Sequence, residues 1–67
     1  MNRYVQGDRV TLRPDRAEAY GVKQGEVYTV LATRPDAHYR KTWVYVAEWD
    51  APCNVVEARE LRPWRKP

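Results

Sequence analysis

The apolar and β-branched residues of this chain come in short runs, each closed by Pro, Gly or Asp before a helical period can establish itself. Gly7-Asp8 precedes Arg9–Arg13, where Val10 and Leu12 share one face, and Pro14-Asp15 stops it. Lys23-Gln24-Gly25 is a turn before Glu26–Thr33, which is dense in β-branched and aromatic residues and ends at Arg34-Pro35-Asp36. Thr42–Trp49 is the strongest strand signal, Asp50-Ala51-Pro52 turns the chain, and Asn54–Val56 and Leu61–Trp64 are two further short strands around a 3₁₀ turn at Glu57–Glu60. Only Asp15–Gly21 reads as helical, a turn or two with Asp15 as N-cap and Gly21 as terminator. The expectation is an all-β fold of five strands with under about a tenth of its residues in α-helix.

Sixty-seven residues hold one domain, here taken as 1–67, and the lone Cys53 excludes an internal disulfide or a multi-thiolate zinc site. A sheet core must therefore stabilise the fold without covalent staples. Mean hydropathy is −0.83 and no apolar run approaches the roughly 18 residues of a membrane span. The polar start, with no apolar leader segment, gives the expectation of a soluble cytoplasmic protein.

The net charge is +3, and it is unevenly placed. Up to Ala58 acids and bases balance, and the excess comes from Arg59, Arg62, Arg65 and Lys66 against Glu60. A second local excess runs over Arg34, Arg40 and Lys41 against Asp36, with His38 between. Were the fold to bring the two together, they would form one cationic face.

Aromatic residues are the richest signal, with three Trp and five Tyr but no Phe. Rings with polar handles suit a partly wet binding face. Tyr39, Arg40, Lys41, Trp43 and Tyr45 on one side, and Arg62, Trp64, Arg65 and Lys66 at the end, are the candidate nucleic-acid or partner-binding residues. Tyr20, Tyr28 and Arg34 would extend the first group. In Thr42–Trp49, one face carries Trp43, Tyr45, Ala47 and Trp49, the other Val44, Val46 and Glu48. A small core lacking Phe favours the aromatic face inward for bulk. Trp64 either covers the open end of the sheet or anchors a partner.

Catalytic constellations are scarce. His38 and Cys53 are not oriented by any neighbour in sequence, the aspartates sit in turn positions, and the glycines are dispersed rather than gathered in a phosphate loop. No catalytic residue, metal ligand or cofactor is expected.

Gly7-Asp8-Arg9-Val10, the run Gly25-Glu26-Val27-Tyr28-Thr29-Val30, Glu48-Trp49-Asp50 and Val56-Glu57-Ala58-Arg59-Glu60-Leu61, in that order over Gln6 to Trp64, resemble an SH3-like small β-barrel. The pattern is similar to KOW-type ribosomal and transcription-factor modules, small phage or plasmid proteins and bacterial accessory subunits. It is also distantly similar to the type II dihydrofolate reductases, homotetramers whose pore strand reads Val-Gln-Ile-Tyr. Aligned on Leu61, Cys53-Asn54-Val55-Val56 falls there, with Val56 in place of the tyrosine. The resemblance implies a five-stranded barrel with one short helical turn, and the basic tail and the Arg34 to Lys41 loop on either side of the aromatic residues give the expectation of a non-enzymatic module binding nucleic acid or nucleoprotein. A protein-interaction adaptor or homo-oligomeric structural subunit is the alternative class, and a reductase-like tetramer is a third.

Overall fold

A computed structural model describes residues 3–49 and 54–66. It contains strands Arg9–Leu12 (β1), Val27–Asp36 (β2), Lys41–Val46 (β3), Val55–Glu57 (β4) and Leu61–Pro63 (β5), the helix Pro14–Tyr20 (α1), and a 3₁₀ turn at Ala58–Glu60. The strands form one antiparallel sheet in the order β4-β3-β2-β1-β5. Strand residues make up 43% and helical residues 17% of the described chain, and the sheet is not closed. Its edges are β4 and β5.

The long β2 organises the sheet by serving two partners in succession. Its first part pairs with β1, Arg9 opposite Thr29 and Thr11 opposite Val27, and its second part pairs with β3, Val30 opposite Val46 through Asp36 opposite Lys41. A register shift between Val30 and Ala32 marks the change and leaves Leu31 exposed at 45%. This is the effect of one extra residue in a ladder, which bends the strand and reverses its facing pattern. Before the shift Tyr28 and Val30 point inward; after it Ala32 and Arg34 are exposed and Thr33 is half-buried.

β2 also runs through Arg34-Pro35-Asp36, where the residue pattern predicts its end. Pro35 is paired with Thr42, but β1 has by then left the other side of β2. A proline is tolerated at such an edge because its missing N–H removes no bond on the open side.

One core joins both parts of the sheet. Val10, Val30, Val44, Val46 and Val56 are fully buried, and Tyr4, Leu12, Ala17, Tyr28 and Leu61 complete the cluster. The face of β3 is therefore the reverse of the expected one: Val44 and Val46 point inward, while Trp43 and Tyr45 are half-buried outside and Ala47 is exposed. The physical reason is volume. Compact valines from four strands fill the narrow interior, and the ring bulk is supplied by Tyr28 and by Tyr4, which precedes every strand. Trp49 packs against this core from its margin, as do Val22 and Ala58.

α1 is seven residues, two turns, which is just over a tenth of the chain. It starts with Pro14 at its first positions and Arg13 as N-cap; Asp15 lies in the first turn and makes no capping bond. Pro14 needs no amide partner there and its fixed φ suits a first turn, so proline rather than aspartate sets the start. Gly21 ends the helix in the left-handed conformation, φ 71°, and its N–H bonds to the carbonyl of Glu18.

Candidate functional site

The β2–β3 hairpin carries the first group of sequence candidates. Asp36 closes its turn: Oδ1 accepts the N–H groups of His38 at 3.1 Å and Tyr39 at 3.3 Å, and Oδ2 accepts the indole N–H of Trp43 at 3.3 Å. The Trp43 bond, the two amides and the charge of Arg34 hold the Asp36 carboxyl below its ordinary value. Arg40 has a positive φ of 55°, the cost of a four-residue turn with no glycine at that point. Lys41 lies 5.6 Å from the Trp43 ring centre and 3.6 Å from Glu57. Tyr39 is 62% exposed and meets His38 edge to face at 4.6 Å. Lys41, Trp43 and Tyr45 thus share the outer face of β3, but Trp43 already has an acceptor on its N–H and a cation over its ring.

The remaining aromatics of the first group lie elsewhere. Tyr28 is in the core, 7% exposed, and stacks on Trp49 with ring centres 5.8 Å apart. Tyr20 meets Trp49 edge-on at 5.3 Å and donates its hydroxyl to both Glu60 oxygens at 2.9 and 2.8 Å. The expected continuous stack of Tyr20, Tyr28, Tyr39, Trp43 and Tyr45 does not form.

Glu60 is the one buried charged residue among those described, 7% exposed. Besides Tyr20 it accepts Arg16 Nε at 2.8 Å and the Glu57 amide at 3.0 Å. Burial pushes its pKa up, but the Glu57 amide, Tyr20, Arg16 and the Arg16 charge together bring it below the ordinary value. Three donors around one buried carboxylate are a complete set, so this cluster joins α1 to the 3₁₀ turn and has no open valence for a ligand. Arg13 with Asp15 at 4.0 Å, Arg16 with Glu60, and Arg59 with Glu57 at 3.0 Å line the concavity beside it.

The second group of candidates lies in another place. The Trp64 amide donates to the Arg9 carbonyl at 2.9 Å, which continues β5 along β1. The Asp8 side chain accepts the Val5 amide at 2.9 Å and its own amide bonds to the Val5 carbonyl, closing a turn that the Gly7 amide fixes to the Val30 carbonyl of β2. Between these segments lies a groove of about 390 Å³ lined by Arg3, Tyr4, Asp8, Arg9, Pro63, Trp64 and Arg65. None of its three arginines has an ion-pair partner among the described residues. Arg9 is close enough to Glu48 to help lower its pKa, after the larger effect of the Thr29 hydroxyl and amide, which bind both Glu48 oxygens at 2.7 and 2.6 Å. Tyr4 is buried at the groove's base, 8% exposed, and Trp64 is half-buried on its wall.

Trp64 and Arg65 are sequence candidates that reach this groove; Arg62 pairs across from Thr11 on β5 and, like Lys66, is exposed outside its lining. Sequence reasoning does not find Arg3, Tyr4 or Arg9. The signal for them is Gly7-Asp8, which not only opens a strand but also closes a turn with Val5, and Arg3 and Tyr4 before that turn share the groove with Arg9. The hairpin and the terminal segment do not merge. The Trp64 anchor Arg9 lies opposite Thr29, seven positions along β2 from Asp36, which at about 3.3 Å per residue is at most roughly 23 Å and less where β2 bends between Val30 and Ala32.

Among the described residues no three His, Cys, Asp or Glu side chains gather as metal ligands, and no helix is long and apolar enough to cross a membrane. Cys53 and Asp50 lie outside the described residues. Asn54, aligned with the pore amide of the reductase resemblance, donates its side chain to the Val46 carbonyl at 3.0 Å, and Val56, at the tyrosine's position, is buried in the core. No protein-family model, curated protein or solved structure matches the chain.

Proposed function

We propose that the chain is a small non-enzymatic SH3-like module that binds nucleic acid through the groove beside Arg9. The barrel part of this reading draws on the first and last strands lying side by side, β2 serving both parts of the sheet, and a single core between them. The binding part rests on one observation: three arginines converge with an aromatic wall, none of them in an ion pair among the described residues, with Asp8 the one acid on the lining and Glu48 near Arg9 but held by Thr29. Guanidinium groups left unpaired are matched to phosphate, and neutralising a phosphate releases counterions, which makes the affinity steeply salt-dependent. Neither the groove nor the hairpin presents a nucleophile oriented by a base, which favours binding over chemistry.

An alternative reading, a protein-interaction adaptor or homo-oligomeric subunit, is favoured by the outer face of β3 and β4, where Trp43, Tyr45 and Val55 are half-buried side by side. Gel retardation on single- and double-stranded nucleic acid at about 50 and 200 mM salt, with a native mass measurement, separates the two. Retardation abolished at the higher salt, by a monomer, supports the first. No retardation at low salt, with a multimeric mass, replaces it by the second.

A further inference from the structure

The three tryptophans differ in what remains free on each ring. Trp49 has Tyr28 stacked on it and Tyr20 against it, and Trp43 has Lys41 near its ring and Asp36 on its N–H. Trp64 has no ring, cation or side-chain hydrogen-bond partner among the described residues, though its backbone is fixed to β1. It lines a concavity whose arginines are in no ion pair among the described residues. A half-buried indole that lines the groove with no ring or cation on it, beside three cations, offers the two things that an unpaired nucleotide needs: a surface for the base and charge for the phosphates on either side. A duplex uses only the second, since its bases are stacked on one another and cannot present a face to an indole. The groove, about 390 Å³, is at the small end of single-ligand sites, which run from about 300 to 1,000 Å³.

The geometry points to this groove as a site for one unpaired nucleotide of a single strand, its base on Trp64 and its flanking phosphates on Arg3, Arg9 and Arg65. The inference rests on the nucleic-acid reading and narrows it to single strands. Asp8, the only acid on the lining, accepts the Val5 amide and so holds the turn that follows Arg3 and Tyr4 on the groove's lining.

The test is fluorescence anisotropy with an oligothymidine of about 15 nucleotides, a duplex of the same length and thymidine monophosphate as competitor. The wild type is to bind the strand at least about ten-fold more tightly than the duplex. Trp64→Leu, which keeps bulk and removes the ring, is to lower strand affinity about ten-fold or more with the salt slope unchanged, and Trp64→Phe is to restore most of it. Arg9→Ala with Arg65→Ala is to flatten the single-strand salt slope by about 1.4, about 0.7 for each phosphate no longer neutralised. Trp43→Leu, as a control, is to change strand affinity less than about two-fold. Equal binding of strand and duplex, indifferent to Trp64→Leu in a protein that still melts cooperatively, overturns the inference and leaves the nucleic-acid reading standing. Monophosphate that competes as well as the strand overturns it in favour of a free nucleotide. Failure of both polymers to bind at about 50 mM salt overturns both readings.

Discussion

Two concavities of this small protein are each lined by three arginines. In one, Arg13, Arg16 and Arg59 stand with Asp15, Glu60 and Glu57; in the other, Arg3, Arg9 and Arg65 stand with Asp8 alone. The first is a fastening. Glu60 collects two donors from α1, Arg16 and Tyr20, and the amide of Glu57, the residue that caps the 3₁₀ turn, so its charge is used in holding the helix to the turn. The second has the same cation count and no matching set of acids, and its tryptophan has no ring or cation partner among the described residues. Equal numbers of arginines therefore have opposite meanings, and what separates them is whether the fold has already supplied the anion.

Removing the shared acid from the fastening should have the largest effect. Glu60→Ala is expected to destabilise the protein by about 2 to 4 kcal/mol, because Tyr20, Arg16 and the Glu57 amide lose their acceptor at a buried site, while Glu60→Gln retains an acceptor and costs less. In a domain this small the alanine variant approaches complete unfolding. Urea denaturation of both variants checks this, and wild-type midpoints for both would show that the fastening is decorative. Next, Arg9→Ala with Arg65→Ala should weaken nucleic-acid binding about ten- to a hundred-fold, yet shift the urea midpoint hardly at all, since neither side chain has an ion-pair partner to lose. Reduced stability with undiminished binding in that variant would make the two concavities alike.

A pH titration sharpens the contrast further. Glu60, Asp36 and Glu48 all have pKa values lowered in the folded protein. Their contribution is thus fully present above the unfolded carboxylate value, near 4.5 for Glu, and is lost as pH falls through the folded values. Thermal melts between about pH 6 and pH 3 should show a falling midpoint, with a shallower fall in Glu60→Gln. A fall as steep in that variant as in the wild type would remove Glu60 from the acid response. The smallest effect is expected at the hairpin: Arg40→Ala with Lys41→Ala should change binding less than about two-fold, because the hairpin is separated from the groove along β2. A large loss there would return the binding face to the sequence-predicted hairpin.

Much of the fold is legible in the residues. The five strand segments, the short helix ended by Gly21 and the 3₁₀ turn before Leu61 all follow from turn residues and β-branched runs whose preferences act within a few positions. The boundary at Pro35 is less legible because a proline in a strand depends on whether the neighbouring side is paired, which its own sequence does not encode. The face of β3 is hidden for a related reason. Both parities of Thr42–Trp49 are apolar enough to be buried, and the choice is made by the valines of three other strands.

The candidate site is half legible. Trp64 and Arg65 stand out in the basic, aromatic end of the chain, but Arg3 and Arg9 belong to a segment whose acids and bases balance, and only the pairing of β5 with β1 brings Arg9 beside Trp64. The sequence by itself determined one unstapled β-rich domain, its turn positions, and how many charges and rings it has to place. The tertiary structure decided which arginines are spent. Backbone preference is local, whereas neutralisation joins residues as far apart as Arg16 and Glu60, 44 positions along the chain, and no spacing rule connects them until the sheet has folded.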